Sequence, residues 1–305
     1  MSSITFLIVG EAKAKIRIRM SYTNNRSIGQ LVDLADNWDK DERFMALNDL
    51  WTQLSREDVK ISRAEEVRVV DAILKALTDA NNDVKSVAVK CVAVLVKKVE
   101  QGQIEVICDN LCELIRSEQK DQAELRDIYS IALKTLISDV PDTMGEEVAR
   151  HLTSKLISGI CNPNTGIKKE CLVILEDLLE RFGTSFNCAN HHENIMNQVL
   201  RLLALPGHEH KSIRKVSADC LGALALVSSE ELLNSMVEIL LELIATTNIG
   251  EQQESGNGKG KGKGKGKKFQ ANKRTVRDFC DCGLWVMLEG YIRALCYIAV
   301  IFHII

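Results

Sequence analysis

The chain has 305 residues, 46% of them hydrophobic, 5% aromatic and only three proline, with a formal net charge of −3. That is ample apolar material for a core, and so few aromatics and prolines suit helices better than a β-sandwich. The charge gives no global reason to expect nucleic-acid binding. The ten cysteines form no CxxC pair, and those such as Cys91, Cys171 and Cys220 fall inside apolar runs, as in a reduced intracellular protein that uses Cys as a small hydrophobe.

Residues 1–19 read as an N-terminal extension without stable structure. Their apolar stretch at 3–9 precedes Lys13, Lys15, Arg17 and Arg19, the reverse of a secretory signal. A mitochondrial presequence is the alternative, and Met20 would make a natural start. From residue 28 the apolar positions recur at helical spacing. They predict helix pairs at 28–38 with 42–54, 64–77 with 83–99, 103–116 with 124–138, 145–160 with 167–182, and 190–203 with 212–227, followed by a helix at 229–245. Asp39 and Asp83 are the expected N-caps of two second helices. Asn162-Pro163-Asn164 and Pro206-Gly207 interrupt the chain between pairs.

Each second helix opens with a basic residue: Arg43, Lys85, Arg126, Lys168 and Arg214, at steps of 42, 41, 42 and 46 residues. Val84, Leu125, Ile167 and Ile213 precede four of them, and Glu42 departs from the rule. A two-helix period near 42 is the signature of HEAT or armadillo-type repeats. The expected fold is an all-α, right-handed HEAT-repeat α-solenoid over 20–245, with five full repeats and the first helix of a sixth. Residues 246–274 contain a glycine–lysine tract too entropic and self-repelling to pack. Residues 275–305 read as a divergent, apolar helical tail, in which Thr275-Val276-Arg277 resembles the start of another second helix.

Little in the chain suggests catalysis. The glycine–lysine tract lacks the Ser or Thr and the preceding strand of a phosphate-binding loop. It reads as a solvated insert, with a nuclear import signal or nonspecific contact with acidic partners or nucleic acid as alternatives. Cys188, His191, His192, His208 and His210 lie close in sequence but lack the regular spacing of a zinc site, and Cys280-x-Cys282 is a weak thiol signal. Asp39, Asp41 and Glu42 sit where helix capping explains them. With no nucleophile motif, neither an enzyme nor a cofactor or metal is expected. Residues 284–305 are long enough to cross a bilayer, but Glu289 and Arg293 make a soluble helix pair the better reading; a truncated form or an aberrant gene product is a third.

Three runs carry a resemblance. They are residues 38–50, which include Arg43-Phe44-Met45-Ala46 and Asn48-Asp49-Leu50; Ala88-Val89-Lys90-Cys91-Val92 with Leu95-Val96; and Glu124-Leu125-Arg126-Asp127-Ile128 with residues 131–137. Their wording and order resemble the opening repeats of the cullin-associated and neddylation-dissociated proteins over about residues 20–245. The resemblance implies a non-enzymatic scaffold for cullin–RING ubiquitin ligases, in the cytoplasm or nucleus. It implies binding of cullin and RING protein, preferably without the ubiquitin-like modifier, by the amino-terminal arm alone. The family's far arm, which displaces the substrate-receptor adaptor, has no counterpart. Second helices of HEAT repeats usually line the concave side, so Asn48, Asp49, Lys90 and Lys134, which interrupt the apolar stripe, are the candidate partner-binding residues. The rival readings are a HEAT transport or assembly adaptor with other protein partners, and a membrane-tethered adaptor. No specific nucleic acid or membrane partner is expected.

Overall fold

The computed structural model describes residues 26–120, 125–205 and 208–254, with side chains as far as Leu243 apart from that of residue 208. The expected extension at 1–19, the Pro206-Gly207 turn, the insert beyond 254 and the tail at 275–305 lie outside the described residues. Every regular element among them is a helix.

The chain divides into two compact units, Met1–Pro141 and Asp142–Ile305. The first holds three helix pairs: α1 (Ile28–Leu34) with α2 (Lys40–Leu54), α3 (Arg63–Ala76) with α4 (Asn82–Leu95), and α5 (Gln101–Arg116) with α6 (Arg126–Asp139). The second holds α7 (Gly145–Ile160) with α8 (Thr165–Phe182), a single turn α9 (Phe186–Ala189), α10 (His192–Leu203) with α11 (Lys211–Val227), and α12 (Glu230–Glu254). The last helix continues past residue 245, where the apolar periodicity stops.

Second helices stack on second helices and first on first. α2 packs on α4 and α4 on α6, while α1 packs on α3 and α3 on α5; in the other unit α8 packs on α11 and α7 on α10. The stack is apolar at its centre. Ala46, Leu47 and Leu50 of α2 are buried with Val84, Ala88, Cys91 and Leu95 of α4 and with Ala132, Leu133 and Leu136 of α6. Each repeat therefore buries its apolar face mainly against its neighbours, the defining economy of a solenoid.

Local chemistry fixes where the helices begin. Ser27 with Gln30 and Ser62 with Glu65 form capping boxes at α1 and α3. The Asp39 carboxylate accepts the Asp41 N–H at the start of α2. At α4 the cap is not Asp83: Asn81 Oδ1 accepts the N–H of both Asp83 and Val84, which puts Asp83 inside the first turn, where its charge favours the helix dipole. Asn164 plays the same part for α8, accepting from Gly166 and Ile167.

The periodic basic residues tie the turns to the helices. Arg126 Nε and Nη2 donate to the carbonyls of Ile115 and Ser117 at 2.8 and 2.9 Å, and Arg214 Nη1 donates to the Leu205 carbonyl. Arg43 Nη1 reaches the carbonyls of Asn37 and Trp38, and its Nε and Nη2 form a fork on Asp79 of the next repeat at 2.6 and 2.9 Å. Burial works to raise the Asp79 pKa, but the Arg43 guanidinium and the Asn81 N–H outweigh it and hold the carboxyl below its usual range. Lys98 does the equivalent for a linker between repeats, donating to the carbonyls of Arg56 and Val59. The last carbonyls of a helix lack intrahelical donors, and long cationic side chains supply some of them here.

Two helices approach closely through a glycine. A Cβ on Gly159 of α7 would lie 2.2 Å from Cys171 Sγ of α8. Gly159→Ala therefore forces the pair apart, at a cost of about 1–3 kcal/mol. A lower melting temperature is expected, with partial recovery in the Gly159→Ala, Cys171→Ala double variant; a Gly159→Ala protein as stable as the parent would contradict the close approach.

Candidate protein-binding surface

In the first unit, the second helices bury one side and leave the other open. On α2 the open side carries Phe44, Asn48, Trp51 and Thr52; on α4 it carries Ser86, Val89, Lys90 and Ala93; on α6 it carries Asp127, Ile131, Lys134 and Thr135. Helical spacing of three to four residues aligns these positions along each axis. Because α2, α4 and α6 stack side by side, the three rows form one surface.

Asn48, Lys90 and Ile131 occupy the same place after the basic residue of their repeats, and Trp51 and Lys134 share another. Neighbouring repeats meet across the face: the Lys90 ammonium lies 5.8 Å from the Trp51 ring centroid, an attraction between cation and ring quadrupole. Thr52 and Thr135 fold their hydroxyls onto the carbonyls of Asn48 and Ile131, which keeps both side chains short and the face smooth. Ile131 is 53% exposed, and with Phe44 and Trp51 it gives the surface an apolar content that two lysines border.

The four residues singled out by sequence do not share one environment. Lys90 is exposed, and Asn48 and Lys134 are half-buried on the open face. Asp49 sits one place further round the helix, where the other repeats bury Cys91, Ala132, Ile174 and Cys220. Its Oδ2 is shielded from solvent without a hydrogen-bond partner, and burial raises its pKa while Arg26 pulls it down. Phe44, Trp51 and Ile131 are not among the residues singled out by sequence; the signal was their phase, which follows the open positions rather than the buried ones.

The corresponding places in the second unit carry Val173 and Glu176 on α8 and Asp219 on α11, so the lysine-bordered character belongs to the first unit. His192 and the thiols of Cys91, Cys188 and Cys220 are buried. The His192 Nε2 lies 2.8 Å from the Gly183 carbonyl. Burial lowers its pKa, and the Gly183 contact opposes that shift. The thiols of Cys91 and Cys188 are pushed up to about 12 and about 11, chiefly by burial, which keeps them protonated and poor nucleophiles. Among the described residues no group of three His, Cys, Asp or Glu is placed to hold a metal ion, and no helix is long and apolar enough to cross a membrane.

Stacked helix pairs tied by periodic basic residues define the class of protein, a HEAT-repeat α-solenoid. A solved structure described as "Structural Basis of Microtubule Plus End Tracking by XMAP215, CLIP-170 and EB1" superposes on it with a TM-score of 0.52, covering 80% of this chain and 98% of that one at 18% identity, which bears on fold alone. No family model matches the chain. Within the class, its sequence is similar to Cullin-associated NEDD8-dissociated protein 1 of Drosophila melanogaster, 35% identical over 218 residues that make up 70% of this chain and 17% of the relative. The Arabidopsis thaliana protein of the same name is 36% identical over 208 residues, 67% of this chain and 16% of the relative. A relative from Emericella nidulans, named as the N-terminal part of that protein, is 27% identical over 123 residues, 39% of this chain and 35% of that one. This chain is thus a homologue of one stretch of the Cullin-associated NEDD8-dissociated proteins, and it spans about a sixth of the length of the two full relatives.

Proposed function

We propose that this chain is a non-enzymatic scaffold that binds the core of a cullin–RING ubiquitin ligase, cullin together with its RING protein, and prefers the cullin without its ubiquitin-like modifier. The observation that carries the reading is homology across the repeats that expose the Phe44–Trp51–Lys90–Ile131 face. An open array of packed helices bearing a large aromatic, an aliphatic and bordering lysines suits a protein surface better than a small molecule, which needs an enclosing pocket. On this reading the chain supplies only the arm that embraces the cullin carboxy-terminal region, and it regulates ligase assembly by occupying that region, in the cytoplasm or nucleus.

Reconstituted cullin–RING complexes, with and without the modifier, test this directly. Binding at micromolar concentration is expected to the unmodified complex and weaker binding to the modified one. The substrate-receptor adaptor is expected to stay bound when these 305 residues are added alone, since they match about a sixth of the relatives' length. Absence of cullin binding at those concentrations would sink the assignment, and efficient adaptor release would show that the exchange activity resides in this stretch.

A further inference from the structure

Helix α12 carries six glutamates and no lysine or arginine. The chain that follows it carries six lysines between residues 259 and 268, five of them alternating with glycine. Glu231, Glu238 and Glu242 of α12 are exposed and, at spacings of seven and four residues, share one face of the helix. That face is a stripe of one sign, and it starts at a cavity.

The cavity, of about 570 Å³, lies within the second unit, and its lining includes Thr184, Asn190, His192, Glu193, Glu231 and Ser235. No lysine or arginine lines it. Neither Glu193 nor Glu231 has an ion-pair partner among the described residues, so the negative charge of the lining is uncompensated. His192 adds a separate demand. It is only 6% exposed, and its Nε2 meets the Gly183 carbonyl. A carbonyl can only accept, so Nε2 carries the hydrogen and Nδ1 is an acceptor. No described residue donates to that Nδ1. Two free carboxylates and a fixed nitrogen acceptor together call for a cation that bears hydrogens. A metal ion needs a tighter convergence than these side chains offer. An ammonium on a flexible stem does not.

The chain itself supplies such a group within reach. Glu231 lies 23 residues before the end of α12, about 35 Å along the axis. The 14 residues from 255 to 268 span up to about 46 Å when extended, so the last lysines can return to the cavity. In an extended chain alternate side chains point the same way, which turns the alternating lysines into one cationic edge opposite the glutamate stripe. Glycines between them leave the backbone free to approach closely.

We propose that this cavity is a binding site for an extended lysine-bearing segment, and that its occupant is the chain's own glycine–lysine tract, laid back along α12 with Lys265, Lys267 or Lys268 beside Glu193 and Glu231. The tether holds the tract at an effective concentration on the order of millimolar, which offsets the entropy lost in ordering its glycines.

A fluorescently labelled peptide with the sequence of residues 256–268 is the probe. It should bind saturably to the chain lacking residues 256–268, and more weakly as salt is raised. The intact chain should bind it at least about tenfold more weakly, because its own tract competes. Changing the six lysines of the intact chain to glutamine, which keeps its length, should restore binding to the level of the deletion. Glu193→Gln with Glu231→Gln in the deletion variant should weaken binding at least about tenfold. Both side chains are exposed, so the helical circular dichroism spectrum should not change. Glu57→Gln with Glu118→Gln, exposed carboxylates of the first unit, should leave binding as it was. Equal affinity of the intact and deleted chains, still dependent on Glu193 and Glu231, would give the site to a basic segment of a partner and overturn the tract as its occupant. Binding that ignores Glu193 and Glu231, or no saturable binding to the deleted chain, would overturn the site itself.

Discussion

Leu221→Asp is expected to unfold much of the second unit. Leu221 is fully buried on α11, which packs on both α8 and α10. Removing it forfeits roughly 2–3 kcal/mol of burial, and an unpaired carboxylate in the same place costs several kcal/mol more or must take up a proton. The sum rivals the stability of a whole domain, about 5–15 kcal/mol. Because stability in a repeat stack is held largely in the interfaces between neighbours, the loss should spread beyond α11. Hydrogen exchange should quicken in α8 and α10 as well. Leu226→Asp, on the same helix but 62% exposed, is the control, with an effect within about 0.5 kcal/mol. Unchanged protection of α8 and α10 in Leu221→Asp would show that the helices are not coupled as their packing implies.

The repeats were legible because helical spacing and a recurring basic residue survive in one dimension. Arg43, Lys85, Arg126, Lys168 and Arg214 mark the second helices without an alignment. Their work was not legible, since it depends on distant partners: Asp79 meets Arg43 from the next repeat, and the Ile115 and Ser117 carbonyls meet Arg126 across a turn. Caps were half legible. Asp39 was found because it directly precedes its helix, whereas Asn81 was passed over for Asp83 in a run of polar residues any of which could cap.

The surface was harder to see for a reason of phase. Polar residues within an apolar stripe single out Asn48, Asp49, Lys90 and Lys134, but a turn of about 100° per residue separates Asn48 on the open face from Asp49 beside it. An open protein-binding face also contains apolar residues by nature, so residue type does not separate Trp51 and Ile131 from core, and only their phase along the helix does. Trp38, 92% exposed, is the extreme case. Nothing in a sequence distinguishes an indole that packs from one that stands in water.

Charge reversal on the open face should separate it from the rest of the first unit. Lys90→Glu with Ile131→Asp places two carboxylates where an exposed lysine and a half-exposed isoleucine stand. Neither residue belongs to the buried stripe, so the fold should survive, as a helical circular dichroism spectrum and an unchanged melting temperature would establish. Losing the Lys90 charge also removes the partner of the Trp51 ring, and a carboxylate left unpaired at the centre of an interface is strongly unfavourable. Affinity for an unmodified cullin–RING complex should fall by at least about thirtyfold, some 2 kcal/mol. The matched control changes the opposite side of the same repeats: Val67→Asp on α3 with Val106→Asp on α5, both exposed valines of first helices, should bind as the parent does. Loss of binding in both pairs would point to a contact that is not confined to the second helices. Retained binding in the Lys90→Glu, Ile131→Asp protein, with loss in the valine pair, would move the cullin contact to the first helices and leave the open face to some other partner.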